Sequence, residues 1–196
     1  CIGHLTNIIL KKEVEPESVA AVIVEGMQGE GGYLAPPPSF LPRLHEVCRS
    51  HGILLILDEV QSGMGRTGKL FAHQHFGVEA DIIATAKGIA SGMPLGAILA
   101  STQIMTWPPG THASTFGGNP LSCRAGLATL ELLQGGLMEN AAQTGSYLKE
   151  KLKSALTGFA NVGDVRGLGL MIAVDFVTDK QSKAYNGKAR DAAIDE

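Results

Sequence analysis

Several residue types that mark special protein classes are scarce in this chain. Its 196 residues include only three cysteines, Cys1, Cys48 and Cys123. They are odd in number and lack zinc-ligand spacing, which argues against a disulfide framework and leads us to expect a cytoplasmic protein. The net charge of -3 offers no basic surface for nucleic acid. The longest apolar run, 53–57, is far shorter than the roughly 18 residues of a membrane span.

The length and the ends of the chain bound its domain content. A chain of 196 residues with 44% hydrophobic residues is enough for one large domain plus part of another. It begins at Cys1 rather than at a methionine, and it ends without a recognisable stop pattern. We therefore expect a fragment in which residues 1–157 are part of a large domain. Residues 158–196 would begin a small C-terminal α+β domain.

Apolar runs rich in β-branched residues predict the sheet. These runs are continuous rather than alternating, which is typical of strands buried on both faces of a mostly parallel sheet. A helical stretch, which Ser39 can cap and Gly52 can end, separates the first two runs and gives a βαβ order. The fold class is therefore α/β, a mostly parallel sheet flanked by helices. The runs span 19–25, 53–60, 81–86 and 96–100.

The second half of the chain is predicted to be mainly helical. Asn119 followed by Pro120 is typical of a helix start, and the glycine pair at 135–136 is expected to stop that helix. A second helix is predicted over 139–156, where leucines recur every four residues. A further strand is predicted over 169–177.

Charged residues end three of the predicted strands. Glu25, Asp58 and Lys87 each follow an apolar run, and ligands of open α/β sheets bind beyond the carboxyl ends of the strands. From position alone, ordinary surface charge is an equally good interpretation. Lys87 has small neighbours that would partly desolvate it, which favours a nucleophilic amine for Schiff-base chemistry. A lysine that extends to water from a strand end is the simpler alternative.

The glycine-rich segment 63–69 matches two nucleotide-binding patterns incompletely. It fits G-x-G-x-x-G, but five residues separate its first glycine from the strand, whereas a dinucleotide site needs that glycine at the strand end. It also fits the start of a P-loop, but Leu70 replaces the hydroxyl that would bind magnesium. The spacing of His73 and His75 predicts no metal site, since a third ligand is missing. The loop before Asn119 is suited to binding an anion.

Four segments together resemble the class III aminotransferases, the group of 4-aminobutyrate and acetylornithine aminotransferases. They occur in order and at family-like spacing, and the likeness extends to residues 165–169 and so covers nearly the whole chain. The resemblance implies the large domain of the pyridoxal-phosphate-dependent transferase fold type I. The segments are VEGMQGEGG (24–32), LDEVQSGMGRTG (57–68), TAKG (85–88) and STFGGNP (114–120).

The resemblance implies roles for three residues around a pyridoxal 5′-phosphate cofactor. Lys87 would bind the cofactor as a Schiff base and then move a proton between the substrate and the cofactor. Asp58 would pair with the pyridine nitrogen and keep it protonated, so that the ring accepts electrons. Gln61 would form a hydrogen bond with the ring oxygen.

Three further residues receive roles from the same resemblance. Glu30 is similar to the family's gating glutamate, which pairs with a substrate-binding arginine for ω-amines and releases it for 2-oxoglutarate. Glu25 would support the cofactor site. Thr115 would reach the cofactor phosphate of a neighbouring subunit, which implies a homodimer with shared active sites.

The chain also departs from the family pattern. Gly26 stands where proline is common. The phosphate loop and the stacking aromatic residue are expected upstream of Cys1, and the arginine partner of Glu30 is expected beyond the last residue. Arg166 is not given that role, because its surroundings match the entry to the C-terminal domain. We therefore expect the isolated segment to bind cofactor weakly.

The function implied is transamination of an amino acid or ω-amino compound, such as 4-aminobutyrate or acetylornithine, with a 2-oxo acid such as 2-oxoglutarate. An amino-acid racemase on the same fold is the first alternative, because residues 107–110 resemble a branch that contains both activities. A nucleotide-binding switch that uses residues 63–69 and a non-catalytic domain are the alternatives from other classes.

Overall fold

The structure, a computed structural model, describes residues 1–195 and contains six strands and five α-helices in that range. A short helix, Ile2–His4, continues directly into a π-helical segment, Leu5–Glu13. The strands are β1 Ala21–Glu25, β2 Leu54–Asp58, β3 Ile82–Thr85, β4 Ala97–Ala100, β5 Val162–Leu168 and β6 Met171–Phe176. The helices are α1 Ile2–His4, α2 Phe40–Ser50, α3 Pro120–Leu132, α4 Met138–Leu156 and α5 Gly187–Asp195.

Four strands form the main sheet in the order β1-β2-β3-β4. The pairs β1–β2 and β2–β3 are parallel, and β3–β4 is antiparallel. The predicted α/β class with a mostly parallel sheet is confirmed. A separate antiparallel hairpin consists of β5 and β6, of which the sequence predicted only the second strand. The predicted division into domains at residues 157 and 158 stays a prediction, and Glu196 lies outside the described residues.

One face of the sheet is buried by α2. Leu41, Leu44 and Cys48 recur at spacings of three and four on this helix, so that they form one stripe. The stripe packs on Leu55 and Leu57 of β2, and all five side chains are almost completely buried. The helix ends before Gly52, whose φ of 69° is the predicted left-handed turn. The predicted cap by Ser39 is wrong, since its side chain makes no capping hydrogen bond.

The opposite face is only partly covered. Ile23 of β1 is 66% exposed, and Ile98 of β4 is 51% exposed. Continuous apolar runs led us to expect burial on both faces, and that expectation is wrong for these strands in the described chain. The physical reason is that the core built around α2 packs against a single face of β1 and β2.

The helix that follows Asn119 begins as predicted. The Asn119 side chain accepts a hydrogen bond from the Ser122 N–H at 2.9 Å, and Pro120 occupies the first helical position. The glycine pair kinks the helix instead of ending it. α3 passes through a π-helical segment, Leu133–Leu137, into α4, with Gly136 at a φ of 122°. Among residues 1–195, no helix is both long and apolar enough to cross a bilayer.

Candidate active site

The sheet brings three sequence-predicted site residues to one edge. Glu25 and Asp58 are partners in the β1–β2 register, and each is the last residue of its strand. Asp58 is also paired with Ala84 of β3, three residues before Lys87. Because these strands are parallel, their carboxyl ends lie at the same edge of the sheet. The backbones of Glu25, Asp58 and Lys87 are therefore neighbours at that edge.

Lys87 has an unusual backbone conformation. It opens a single 3₁₀ turn, Lys87–Ala90, with a φ of 44°, which is a left-handed conformation that non-glycine residues seldom adopt. Such strain persists at functional sites when the surroundings enforce it. The residue lines a cleft of about 240 Å³ together with Tyr33, Gln61 and Arg66. Lys87 is exposed, which agrees with the simpler alternative of a lysine that extends to water from a strand end.

Asp58 and Glu25 line a neighbouring cleft of about 370 Å³. The Asp58 carboxylate accepts a hydrogen bond from the Val60 N–H at 2.9 Å, and the residue is half-buried. The Glu25 carboxylate accepts one from the Gly29 N–H at 2.6 Å. Both acids are therefore fixed by backbone donors, which leaves further carboxylate lone pairs for a ligand.

Glu30 and Gln61 meet although they follow different strands. Gln61 Nε2 donates to Glu30 Oε1 at 3.5 Å, and Glu30 is exposed. Gly29 packs directly on the Gln61 side chain, since a Cβ at position 29 would lie 1.6 Å from Gln61 Oε1. The approach of the two turns thus places the Gln61 amide beside the Lys87 cleft.

Arg166 connects the β5–β6 hairpin to the turn that carries Glu30. Its Nε donates to the Gly32 carbonyl at 2.9 Å, and its guanidinium lies 3.1 Å from the Asp175 carboxylate. The sequence analysis assigned Arg166 no substrate role, and these contacts occupy the side chain within the protein. The local sequence gives no signal for the contact between Arg166 and Gly32, because these residues are 134 positions apart.

Thr115 lies in an exposed loop, 111–118, and not in the Lys87 cleft. Other residues of the loop, His112 and Ser114, line a larger cleft of about 540 Å³ with Val60 and Thr85. Within one chain, the structure therefore does not bring Thr115 together with Lys87.

Glu59 is a buried acid that the sequence analysis did not single out. Its side chain is fully buried and accepts hydrogen bonds from the Ser62 hydroxyl, the Ala72 N–H, and the N–H and Nδ1 of His73, at 2.5 to 2.9 Å. Burial opposes ionisation of Glu59, but the hydrogen bonds from His73, Ser62 and Ala72 outweigh it and lower the pKa of Glu59. The sequence offers a weak signal for Glu59, since an acid beside Asp58 at a strand end does not show which of the two is buried.

The glycine-rich loop does not have P-loop geometry. After Lys69 the chain enters a short 3₁₀ turn, Ala72–His75, rather than a helix whose N-terminus would hold phosphate. Gly68 packs so closely on α4 that a Cβ there would lie 2.8 Å from Ala142. Among residues 1–195, no group of three or more metal-ligating side chains occurs. The loop is a packing element between the sheet and α4.

The fold and the edge residues define the class of protein, the pyridoxal-phosphate-dependent transferases of fold type I. An amine transaminase from an uncultivated Pseudomonas species, solved in its PLP-bound form, superposes with a TM-score of 0.89. It is 40% identical, and the match covers 97% of this chain and 45% of that one. The family model "Aminotransferase class-III" matches residues 1–194, and the chain belongs to this family.

Two curated relatives show the range of chemistry around this chain. An acetylornithine aminotransferase from Methanothermobacter thermautotrophicus is 49% identical over 81% of this chain and 41% of the relative. A leucine/methionine racemase from Thermococcus litoralis is 44% identical over 87% of this chain and 39% of the relative. The chain spans less than half the length of the curated relatives it matches.

The residues at the sheet edge fit the cofactor on which class III aminotransferases depend, pyridoxal 5′-phosphate. Lys87 offers a primary amine, Asp58 a carboxylate and Gln61 an amide, which suit an aldehyde, a ring nitrogen and a ring oxygen respectively. The Thr85 hydroxyl, two residues before Lys87, is buried without a hydrogen-bond partner among the described residues. Thr85 lines the larger cleft that contains His112 and Ser114, where an unsatisfied buried hydroxyl is available to a polar ligand.

Proposed function

We propose that the protein transfers an amino group from an amino acid or ω-amino compound to a 2-oxo acid such as 2-oxoglutarate. The observation that carries this proposal is the placement of Lys87 and Asp58 at one sheet edge, joined through the pairing of Asp58 with Ala84. The Lys87 amine suits the aldehyde of a pyridoxal ring, and the Asp58 carboxylate suits its ring nitrogen. Relatives named acetylornithine aminotransferase and 4-aminobutyrate aminotransferase support amino donors of this kind.

The residues of the two neighbouring clefts have different roles in the proposed reaction. The cofactor supplies an electron sink when bound. Lys87 would hold the cofactor through its amine, and that amine, once free, would move the proton at the substrate Cα. Asp58, fixed by the Val60 N–H, would hold a proton on the ring nitrogen. Gln61 orients the ring oxygen, and Glu25 supports the turn that carries Glu30 through its bond to Gly29.

Glu30 would control which substrate is accommodated. Its exposed carboxylate at the rim of the cleft can pair with a cation when the bound substrate lacks a carboxylate at that end. Its one hydrogen bond, from Gln61 at 3.5 Å, is long and easily broken. A gating role in substrate choice therefore fits its placement.

The proposal includes a homodimer in which Thr115 serves the site of a neighbouring subunit. Two observations support it: Thr115 lies away from the Lys87 cleft of its own chain, and large apolar side chains near it are exposed. Trp107 is 52% exposed and Phe116 is 72% exposed, as expected for residues that another subunit covers. A cytoplasmic location stays a prediction from the cysteine content.

The experiment that tests the proposed activity uses the full-length protein. We expect a yellow absorbance band, amino transfer from 4-aminobutyrate or acetylornithine to 2-oxoglutarate, and loss of the band on borohydride reduction. Peptide mapping should then place the label on Lys87, and a Lys151→Ala control on the exposed face of α4 should label normally. A label on another lysine, or a colourless protein, would contradict the proposal.

Racemisation is the second candidate, favoured by the 44% identity to a leucine/methionine racemase. The two activities share Lys87 and differ in the fate of the amino group. Incubation with one enantiomer of leucine or methionine and no 2-oxo acid separates them. Catalytic loss of optical rotation with the amino acid conserved would establish a racemase, whereas release of a 2-oxo acid that stops at one equivalent per site would favour transamination.

A further inference from the structure

We propose that Glu59 and His73 form a positioning pair that holds the Asp58 and Gln61 turn in register with the strand leading to Lys87. The inference rests on the proposed function, because its purpose is to fix the cofactor-holding residues relative to one another. Neither residue lines the clefts of Lys87 or Asp58. They act through the backbone that carries those side chains.

The backbone of Glu59 ties together two segments of the site. Its N–H donates to the Ala84 carbonyl at 2.8 Å, which joins the end of β2 to β3 shortly before Lys87. Its carbonyl accepts from the Gly63 N–H at 2.9 Å, which closes the turn that contains Gln61. A displacement of Glu59 would therefore move Asp58, Gln61 and Lys87 relative to one another.

The side chain of Glu59 adds a third segment to this junction. Oε1 accepts from the His73 N–H and lies 2.8 Å from His73 Nδ1, and Oε2 accepts from the Ser62 hydroxyl and the Ala72 N–H. His73 is itself buried, and its ring stacks on Phe71 with centroids 5.7 Å apart. The 3₁₀ turn over Ala72–His75 is thus clamped onto the end of β2.

The chemistry of this junction requires a carboxylate. A carboxylate is a pure acceptor, and the two N–H groups of Ala72 and His73 point at separate oxygens of Glu59. A glutamine would turn an NH₂ group toward at least one of these buried N–H groups. Space is also limited, because a Cβ on Gly26 would lie 2.9 Å from Glu59 Oε1. Gly26, which follows β1, therefore packs closely on the Glu59 carboxylate.

The test compares Glu59→Gln with Leu44→Ala in the full-length protein. Leu44 belongs to the separate core under α2, so its truncation lowers stability without touching the site. Cofactor affinity is measured by fluorescence titration of the cofactor-free proteins with pyridoxal 5′-phosphate, at a temperature where all are folded. The absorbance maximum of the loaded protein is recorded between pH 6 and 9.

We expect Glu59→Gln to weaken cofactor binding at least about tenfold and to move the pH midpoint of the absorbance band. Leu44→Ala should leave both unchanged while lowering the melting temperature. Equal affinity and an equal midpoint in Glu59→Gln and the wild type would overturn the positioning role. A wild-type protein that shows no band at all would instead overturn the proposed function, so the two failures are distinguishable.

A second pair of variants keeps the inference testable if Glu59→Gln does not fold. His73→Phe keeps the stacked ring and the backbone N–H but removes the Nδ1 donor, whereas His73→Asn retains a side-chain N–H near the same point. We expect His73→Phe to weaken cofactor binding about fivefold, the loss of one hydrogen bond, and His73→Asn to bind within about twofold of the wild type. Wild-type affinity in His73→Phe would overturn the inference.

Discussion

Gln61 Nε2 and Glu30 Oε1 lie 3.5 Å apart, although the two residues are 31 positions apart in the chain. The contact joins the turn after β1 to the turn after β2 at the rim of the Lys87 cleft. Gln61, which we propose orients the cofactor, is thereby linked to Glu30, which we propose selects the substrate. The two roles can be separated experimentally, because Glu30 is exposed and Gln61 is half-buried.

Glu30→Gln should change substrate preference more than stability. We expect kcat/KM for an ω-amino donor to fall about tenfold or more, with a smaller change for the 2-oxoglutarate half-reaction, because only the former needs the Glu30 charge. The free energy of unfolding should change by less than about 0.5 kcal/mol, since the side chain is exposed. Glu79→Gln, another exposed acid, is the control. An equal fall in both half-reactions would contradict a gating role.

Asp58→Asn should reduce the rate without removing the cofactor. The amide has the shape of the carboxylate and can still accept from the Val60 N–H, but it carries no charge to hold a proton on the ring nitrogen. We expect kcat to fall about 100-fold or more. Asp191→Asn, on the exposed helix α5, should have full activity. Single-turnover kinetics measure the effect, and an unchanged rate constant would refute the assignment of Asp58.

Gly145→Ala should destabilise the fold strongly. Gly145 of α4 is buried, and a Cβ there would lie 2.0 Å from the Gly169 carbonyl oxygen, which is backbone and cannot move aside cheaply. We expect a loss of about 2 kcal/mol or more in the free energy of unfolding. The matched control is Gly135→Ala, where no atom lies within 4 Å. Urea denaturation measures both free energies of unfolding. Equal values for Gly145→Ala and Gly135→Ala would contradict the close packing of Gly145 on Gly169.

The Glu59 carboxylate should make stability depend on acid pH. Its pKa in the folded protein lies below its ordinary value of 4.5, so the unfolded chain takes up the proton first as the pH falls. Its stabilising contribution is therefore complete above pH 4.5 and is lost as the pH falls through the lowered pKa. We expect the difference in unfolding free energy between the wild type and Glu59→Gln to narrow below pH 4.5. If the difference in unfolding free energy stayed constant from pH 7 to 3.5, the Glu59 carboxylate would not be the source of the acid dependence.

The fold was largely predictable because its signals are local. The apolar run of each strand, the stripe on α2 and the pairing of Asn119 with Pro120 are all contained within short windows of sequence. β5 was missed because Asp164 and Arg166 interrupt its apolar pattern. The two side chains lie 3.8 Å apart along this one strand. The antiparallel direction of β4 likewise depends on the partner strand and not on its own residues.

The site was predictable only where position in the fold decides function. The rule that ligands bind at strand ends made Asp58 and Lys87 candidates, the family resemblance assigned their roles, and the structure places them at one edge. The sequence left open whether Lys87 is desolvated or extends to water, since exposure depends on what covers a residue and not on its neighbours in the chain. The junction at Glu59 is made by donors 13 and 14 residues away, which no short pattern specifies.

The order of the strands in the main sheet is also their order in the chain, β1-β2-β3-β4. Each strand therefore pairs with the next one to be synthesised, and no pairing in this sheet spans an intervening strand, which limits the entropy of loop closure. A low separation between pairing partners favours rapid folding. The edge that holds Glu25, Asp58 and Lys87 can thus assemble early on the ribosome. Pulse-labelling hydrogen exchange should show β2 and β3 protected before the β5–β6 hairpin.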